Sequence, residues 1–189
     1  EDQESVNKIS NTKYIRSIEL SEKPEPIKVY LKKCKEKYSK IKTLLFPDEP
    51  KQFYSIYEVA DIKKPGTNEP VIENLDAKAL FELPNYLVIT GTGGVGKSMM
   101  LRHLILSSLE NYAQLQKMPL MVSLKDFTDA QNDLMEFCYQ EFCAITPVEK
   151  DQFNDLVCRG MIFFLFDAYD EIKNRFVKRF DSQLEKLIS

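Results

Sequence analysis

Residues 86–98 read Tyr-Leu-Val-Ile-Thr-Gly-Thr-Gly-Gly-Val-Gly-Lys-Ser, and no other stretch constrains the chain so tightly. Tyr86 to Ile89 is a short apolar run of the kind that forms a buried strand. Gly91 to Ser98 matches G-x-x-x-x-G-K-[ST] at every fixed position, and Met99 to Leu109 continues as an apolar helix. Phosphate binding needs each part. Glycines let successive backbone N–H groups turn inward onto phosphate oxygens, and the helix start adds the positive end of its dipole. This assigns Gly91, Thr92, Gly93, Gly94, Val95, Gly96, Lys97, Ser98 and Met99 to nucleotide binding, with Lys97 reaching the β- and γ-phosphates and the Ser98 hydroxyl on Mg²⁺.

The same residues contain G-x-G-x-x-G (Gly91, Gly93, Gly96), a dinucleotide fingerprint. That motif has no use for Lys97-Ser98, and it wants an acidic residue about 20 positions on, whereas the nearest candidate, Asp126, comes later. A ligand-free glycine turn is the blander alternative, and it leaves the flanking strand and helix patterns unexplained. The phosphate-binding loop is therefore the reading adopted.

Composition serves mainly to exclude. With 189 residues, 43% apolar and 29% charged, the chain can build one core plus an appendage. A net charge of −3 gives no general attraction to nucleic acid or membrane, and no apolar run approaches about 18 residues. Cys34, Cys138, Cys143 and Cys158 form no C-x-x-C pair and read as reduced, packed thiols of a cytoplasmic protein.

In chain order, residues 1–26 are polar, with a loose helix around Val6 to Leu20 before Pro24 and Pro26. Ile27, Leu31, Cys34, Tyr38, Ile41 and Leu45 then recur at helical spacing, predicting a helix from Ile27 to Phe46 that Pro47 and Pro50 end. Its other face is lysine-rich, but no aromatic residues interleave the lysines to stack on bases, so solvation explains it more simply than an anionic partner. Phe53 to Val59 alternates like a strand, residues 63–70 read as a turn or flexible connection, and Asp76 is placed to cap a short helix to Leu83. Pro119 to Leu124 reads as a second core strand, Leu134 to Ile145 as a helix, and Thr146-Pro147 as the capped start of another that Gly160 closes. Met161 to Phe166 is apolar throughout, which suits a central strand buried on both faces. Strand and helix alternate, so the class is α/β with a parallel sheet. The divisions are 1–52, an N-terminal helical appendage, and 53–189, a nucleotide-binding domain whose first 32 residues lead into its core.

That last strand ends in Asp167-Ala-Tyr-Asp-Glu171. Ligands of open α/β sheets collect at carboxyl ends of strands, so this cluster should face the glycine loop. Asp167 is the expected Mg²⁺ partner of Ser98, and either Asp170 or Glu171 could polarise the attacking water. A solvated acidic turn is the bland alternative. The loop about 70 residues earlier weighs against it. His103, inside the helix after the loop, reads as a surface or packing residue. The final helix, with Phe176, Phe180, Leu184 and Leu187 on one face, reads as a packing helix that a second copy could also cover.

Three stretches together resemble the NACHT group of P-loop signal-transduction NTPases, of the STAND class that includes NOD-like receptors and bacterial immune ATPases. They are GTGGVGKS, the proline-led strand PLMVSLKDF, and FFLFDAYDE, where Ala168 takes the family's small position and Asp170-Glu171 its acidic pair. FYSIYEV is similar to the segment before the loop in bacterial members. The likeness covers roughly 53–175. It implies an incomplete P-loop NTPase core, ATP or ADP with Mg²⁺ as ligands, slow hydrolysis with Asp170, Glu171 and Lys97 at the reacting phosphate, and a switch in bacterial immunity or regulation. Self-association or other domains of a longer chain would be its partners. Two family features lack counterparts. One is a further strand, between the loop strand and the acidic strand, that ends in a sensor arginine. The other is a winged-helix histidine. The chain therefore reads as a fragment. A nucleotide-stabilised scaffold without turnover is the competing function.

Overall fold

A computed structural model describes residues 25–43, 46–63, 66, 70–83, 86–128 and 133–188. The loose helix expected at Val6 to Leu20 lies outside them. Helix α1 (Glu25–Tyr38) leads into an antiparallel hairpin, β1 (Lys40–Thr43) with β2 (Phe46–Gln52). A second short antiparallel pair joins β3 (Ile62–Lys63) to β4 (Pro70–Ile72); most of the 63–70 connection lies outside the described residues. Then follow α2 (Ala77–Phe81), α3 (Lys97–Glu110), the short α4 (Tyr112–Leu115) and β5 (Met118–Ser123). Helices α5 (Leu134–Ile145) and α6 (Lys150–Cys158) connect β5 to β6 (Ile162–Asp167), and α7 (Asn174–Ile188) closes the described chain.

The α/β class follows from β5 and β6, which run parallel in unbroken register from Met118 opposite Ile162 to Ser123 opposite Asp167. Parallel strands need a long crossover, and α5–α6 supplies it. The Met118 N–H donates to Met161 O at 2.7 Å, so alternate residues of β5 face β6 and the next one, Pro119, faces away. A proline can sit there because an outward position needs no ladder N–H. Its carbonyl is still an acceptor, and the Tyr30 hydroxyl of α1 donates to it at 2.8 Å. Tyr30 and Cys34 are fully buried, and the Tyr30 ring stacks on Phe142 of α5 at 4.3 Å. Helix α1 is thus docked on the same core as the parallel strands.

Helix α3 lies at the centre of that core. Met100 and the unbroken run from His103 to Ser108 are buried, the pattern of a helix covered on every side. It packs on α1, α2, β5 and β6. Asp76 caps α2 as expected, accepting from Ala79 N at 2.8 Å. On the other flank, Phe176 and Phe180 of α7 are buried, Phe180 meeting Phe127 and Phe166 edge-on. The apolar face of α7 is therefore occupied at these two positions by its own chain.

Several expectations are corrected. The first helix ends at Tyr38, not Phe46, and Ile41 continues the stripe in a hairpin strand. Alternation over residues 39–43 can serve a strand as well as a helix, and the pairing with β2 decides it. Phe53 to Val59 is no strand. It opens with a 3-10 turn at Phe53–Ser55, with Ile56 N and Tyr57 N bonded to Phe53 O. The helix after Thr146 begins at Lys150 with Glu149 as its cap, whose N–H donates to Gln152 Oε1, so Pro147 stands before the helix. Gly160 does close it, with Met161 N donating back to Leu156 O. Strand β6 is not buried on both faces. Phe163, Phe164 and Phe166 are half-buried, because β5 is its one partner among the described residues. Residues 86–90 form no strand, and Val88 is 86% exposed. An apolar run becomes a strand only where a neighbour offers unpaired N–H and C=O groups, and none of the described strands lies against it. Of the cysteines, all free, Cys34 and Cys138 are buried, Cys143 is half-buried and Cys158 is exposed. No helix of the described residues is long and apolar enough to cross a membrane.

Candidate nucleotide site

The glycine loop joins the extended segment 86–90 to the first turn of α3. Gly94 and Gly96 have φ of +79° and +98°, backbone that a side chain would strain, and a Cβ at either would meet nothing within 4 Å. The glycines are thus required by conformation, and open space lies over them. Val95 N bonds to Thr92 O at 3.3 Å. Among the described residues, the amides of Gly93, Gly94, Gly96, Lys97 and Ser98 donate to no backbone carbonyl. They are the orphan donors of a helix start extended back into the loop, a concave set of N–H groups suited to an anion. Lys97 Nζ folds over this surface and donates to Gly91 O at 2.8 Å and Thr92 O at 3.2 Å. The cation is held within the loop and can exchange these neutral carbonyls for a charged oxygen at little conformational cost. Ser98 is exposed and Met99 half-buried.

The acidic cluster forms one turn at the carboxyl end of β6. Asp167 Oδ1 accepts from Ala168 N at 2.9 Å, and Ala168 adopts the left-handed region at φ 61°. Alanine carries the ordinary Cβ strain of that region without the further cost of a β-branched or bulky side chain. The chain then enters a 3-10 turn at Tyr169–Glu171, with Glu171 N bonded to Ala168 O and Ile172 buried beneath. Asp170 and Glu171 are exposed, and Asp167 is half-buried. The turn packs against Leu124–Asp126, the corresponding turn after β5. The glycine loop leads into α3 and the carboxylates follow β6, and α3 packs on β6. Among the described residues no hydrogen bond joins Ser98 to Asp167, and no group of three His, Cys, Asp or Glu side chains is close enough to hold a metal by itself.

His103 is a packing residue with a specific partner. Its Nδ1 lies 3.0 Å from the Tyr54 hydroxyl, and the rings of Tyr54 and Tyr57 lie against it at 5.7 and 5.4 Å. Burial holds the imidazole below its usual range, against smaller raising effects of Leu75 O, Asp76 and Glu110. The turn before the loop is thereby tied to the loop helix, a link that sequence reading missed. The signal available was the spacing of three between Tyr54 and Tyr57, one helical turn, against the alternation that suggested a strand.

Compared with known proteins, residues 85–189, more than half of the chain, match the family model described as NACHT domain. No curated protein and no solved structure matches the chain.

Proposed function

We propose that this chain, which belongs to the NACHT family of P-loop NTPases, binds ATP and ADP and hydrolyses ATP slowly, as the switch of a signalling protein. The loop amides of Gly93, Gly94, Gly96, Lys97 and Ser98, which donate to no backbone carbonyl among the described residues, carry this reading. They would surround the β-phosphate, with Gly91, Thr92 and Val95 shaping the loop, Met99 N–H continuing the helix start, and Lys97 Nζ moving from the loop carbonyls to a β- or γ-oxygen. Ser98 and Asp167 are the residues that would hold Mg²⁺, which when bound neutralises charge on the phosphates. Either Asp170 or Glu171 accepts a hydrogen bond from the attacking water and orients it; both are exposed on one turn. A cytoplasmic role in bacterial immunity or regulation belongs to the same proposal and rests on family likeness.

The test begins with denaturing the purified chain and identifying any released nucleotide by chromatography. Binding is then measured on Lys97→Ala, and turnover on Asp170→Asn and Glu171→Gln. Loss of affinity in the first, with loss of turnover but not of binding in one of the others, is expected. Unchanged nucleotide affinity in folded Lys97→Ala would overturn the phosphate assignment. Binding without turnover in the parent would replace the hydrolase by a nucleotide-stabilised scaffold.

A further inference from the structure

Asp170 and Glu171 are exposed, and a turn that carries them needs something to hold its direction. Between Ala168 and Asp170 the chain places Tyr169, whose ring lies edge-on to Phe180 of α7 at 5.8 Å. Its hydroxyl donates to Asp181 Oδ1 at 3.0 Å. The bond to the carboxylate holds the phenol above its usual range. Phe180 is itself buried against Phe166 and Phe127, so the ring rests on a fixed support. Ile172, at the other end of the turn, is buried. The turn is thus pinned at the centre by a side chain and at the end by the core, while the carboxylates of Asp170 and Glu171 accept no hydrogen bond among the described residues.

We propose that the Tyr169–Asp181 hydrogen bond is a latch that fixes the direction of the acidic turn, making Tyr169 a positioning residue for the water-orienting carboxylate. This rests on the hydrolysis reading above. Helix α7 thereby enters the chemistry without touching nucleotide. Any displacement of α7 would release the turn.

The experiment uses the full chain and the variants Tyr169→Phe, Asp181→Ala, Asp181→Asn and the Phe/Ala double. Tyr169 is 48% exposed, so removing its hydroxyl leaves the fold intact, which circular dichroism checks. Loss of one such hydrogen bond should lower kcat about threefold to tenfold with KM unchanged. Asp181→Ala should lose the same factor, the double variant no more than either single, and Asp181→Asn, whose Oδ1 still accepts, should recover most of it. Hydrogen exchange of amides 168–172 is read on the same samples and should quicken in Tyr169→Phe. Unaltered kcat beside an active parent, or additive losses in the double variant, would overturn the latch. If the parent shows no turnover, the hydrolysis reading fails by itself and exchange decides: quickened exchange keeps the latch, unchanged exchange removes it.

Discussion

The docking of α1 on the parallel strands can be tested at one oxygen atom. Tyr30 is fully buried, and its hydroxyl caps Pro119 O, a carbonyl on the side of β5 away from β6. Tyr30→Phe keeps the ring and its 4.3 Å stacking on Phe142, so almost no apolar packing is lost. What disappears is the donor, which leaves a buried carbonyl unsatisfied at a cost of about 1–3 kcal/mol. For a chain of this size each kcal/mol lowers Tm by about 2–4 °C, so a fall of about 4–8 °C is expected for a mid-range loss. The assay is thermal and urea denaturation of the parent, Tyr30→Phe and the control Tyr86→Phe, whose ring is 61% exposed and which should not move. An unchanged urea slope would assign the difference to stability rather than to the denatured state. If Tyr30→Phe matched the parent within about 0.5 kcal/mol, the hydrogen bond would be absent or water-replaced, and α1 would not be seated as described.

Three further outcomes are expected. Burial raises the Tyr30 phenol well above its usual range and pushes Tyr38 to about 12 and Cys138 to about 12. The unfolded chain therefore loses these protons first, and stability should decline as pH rises through about 10, with the Tyr30 and Tyr38 phenolates, read as the absorbance lost in the Tyr30→Phe and Tyr38→Phe variants, appearing together with unfolding rather than before it. His103 has the opposite sign, since its folded pKa lies below its unfolded one. Its contribution is complete above about 6.5 and is lost as pH falls through the folded value, so His103→Gln should flatten the slope of urea stability between pH 7 and 5, and an unchanged slope would refute it. Val88→Lys should shift Tm by less than about 2 °C in this chain, because Val88 is 86% exposed; a large loss would show that residues 86–90 are paired after all.

What could be read in the sequence is what depends on neighbours in the chain. The glycine loop, the helix after it and the acidic turn are defined by spacings of a few residues, and each lies where those spacings put it. The same holds for the Asp76 cap, for the strands from Pro119 and Ile162, and for the helix from Leu134. Most of the readings that failed depended on a partner, the start of the helix after Thr146 being a local exception. Ile41 fits a helix stripe or a hairpin strand, and β2 settles which. Tyr54 and Tyr57 fit alternation or one helical turn, and His103 settles it. Tyr86 to Ile89 has the composition of a strand and no strand beside it among the described residues.

The sequence by itself determined that a glycine loop and an acidic turn exist, because backbone conformation at Gly94, Gly96 and Ala168 is a local property. Only the tertiary structure decided which side chains hold those pieces still. Tyr30 on Pro119, Tyr54 on His103 and Tyr169 on Asp181 join residues separated by 89, 49 and 12 positions. No periodicity encodes such pairs. They form because a buried or pinned polar atom must find its partner wherever the fold has placed one.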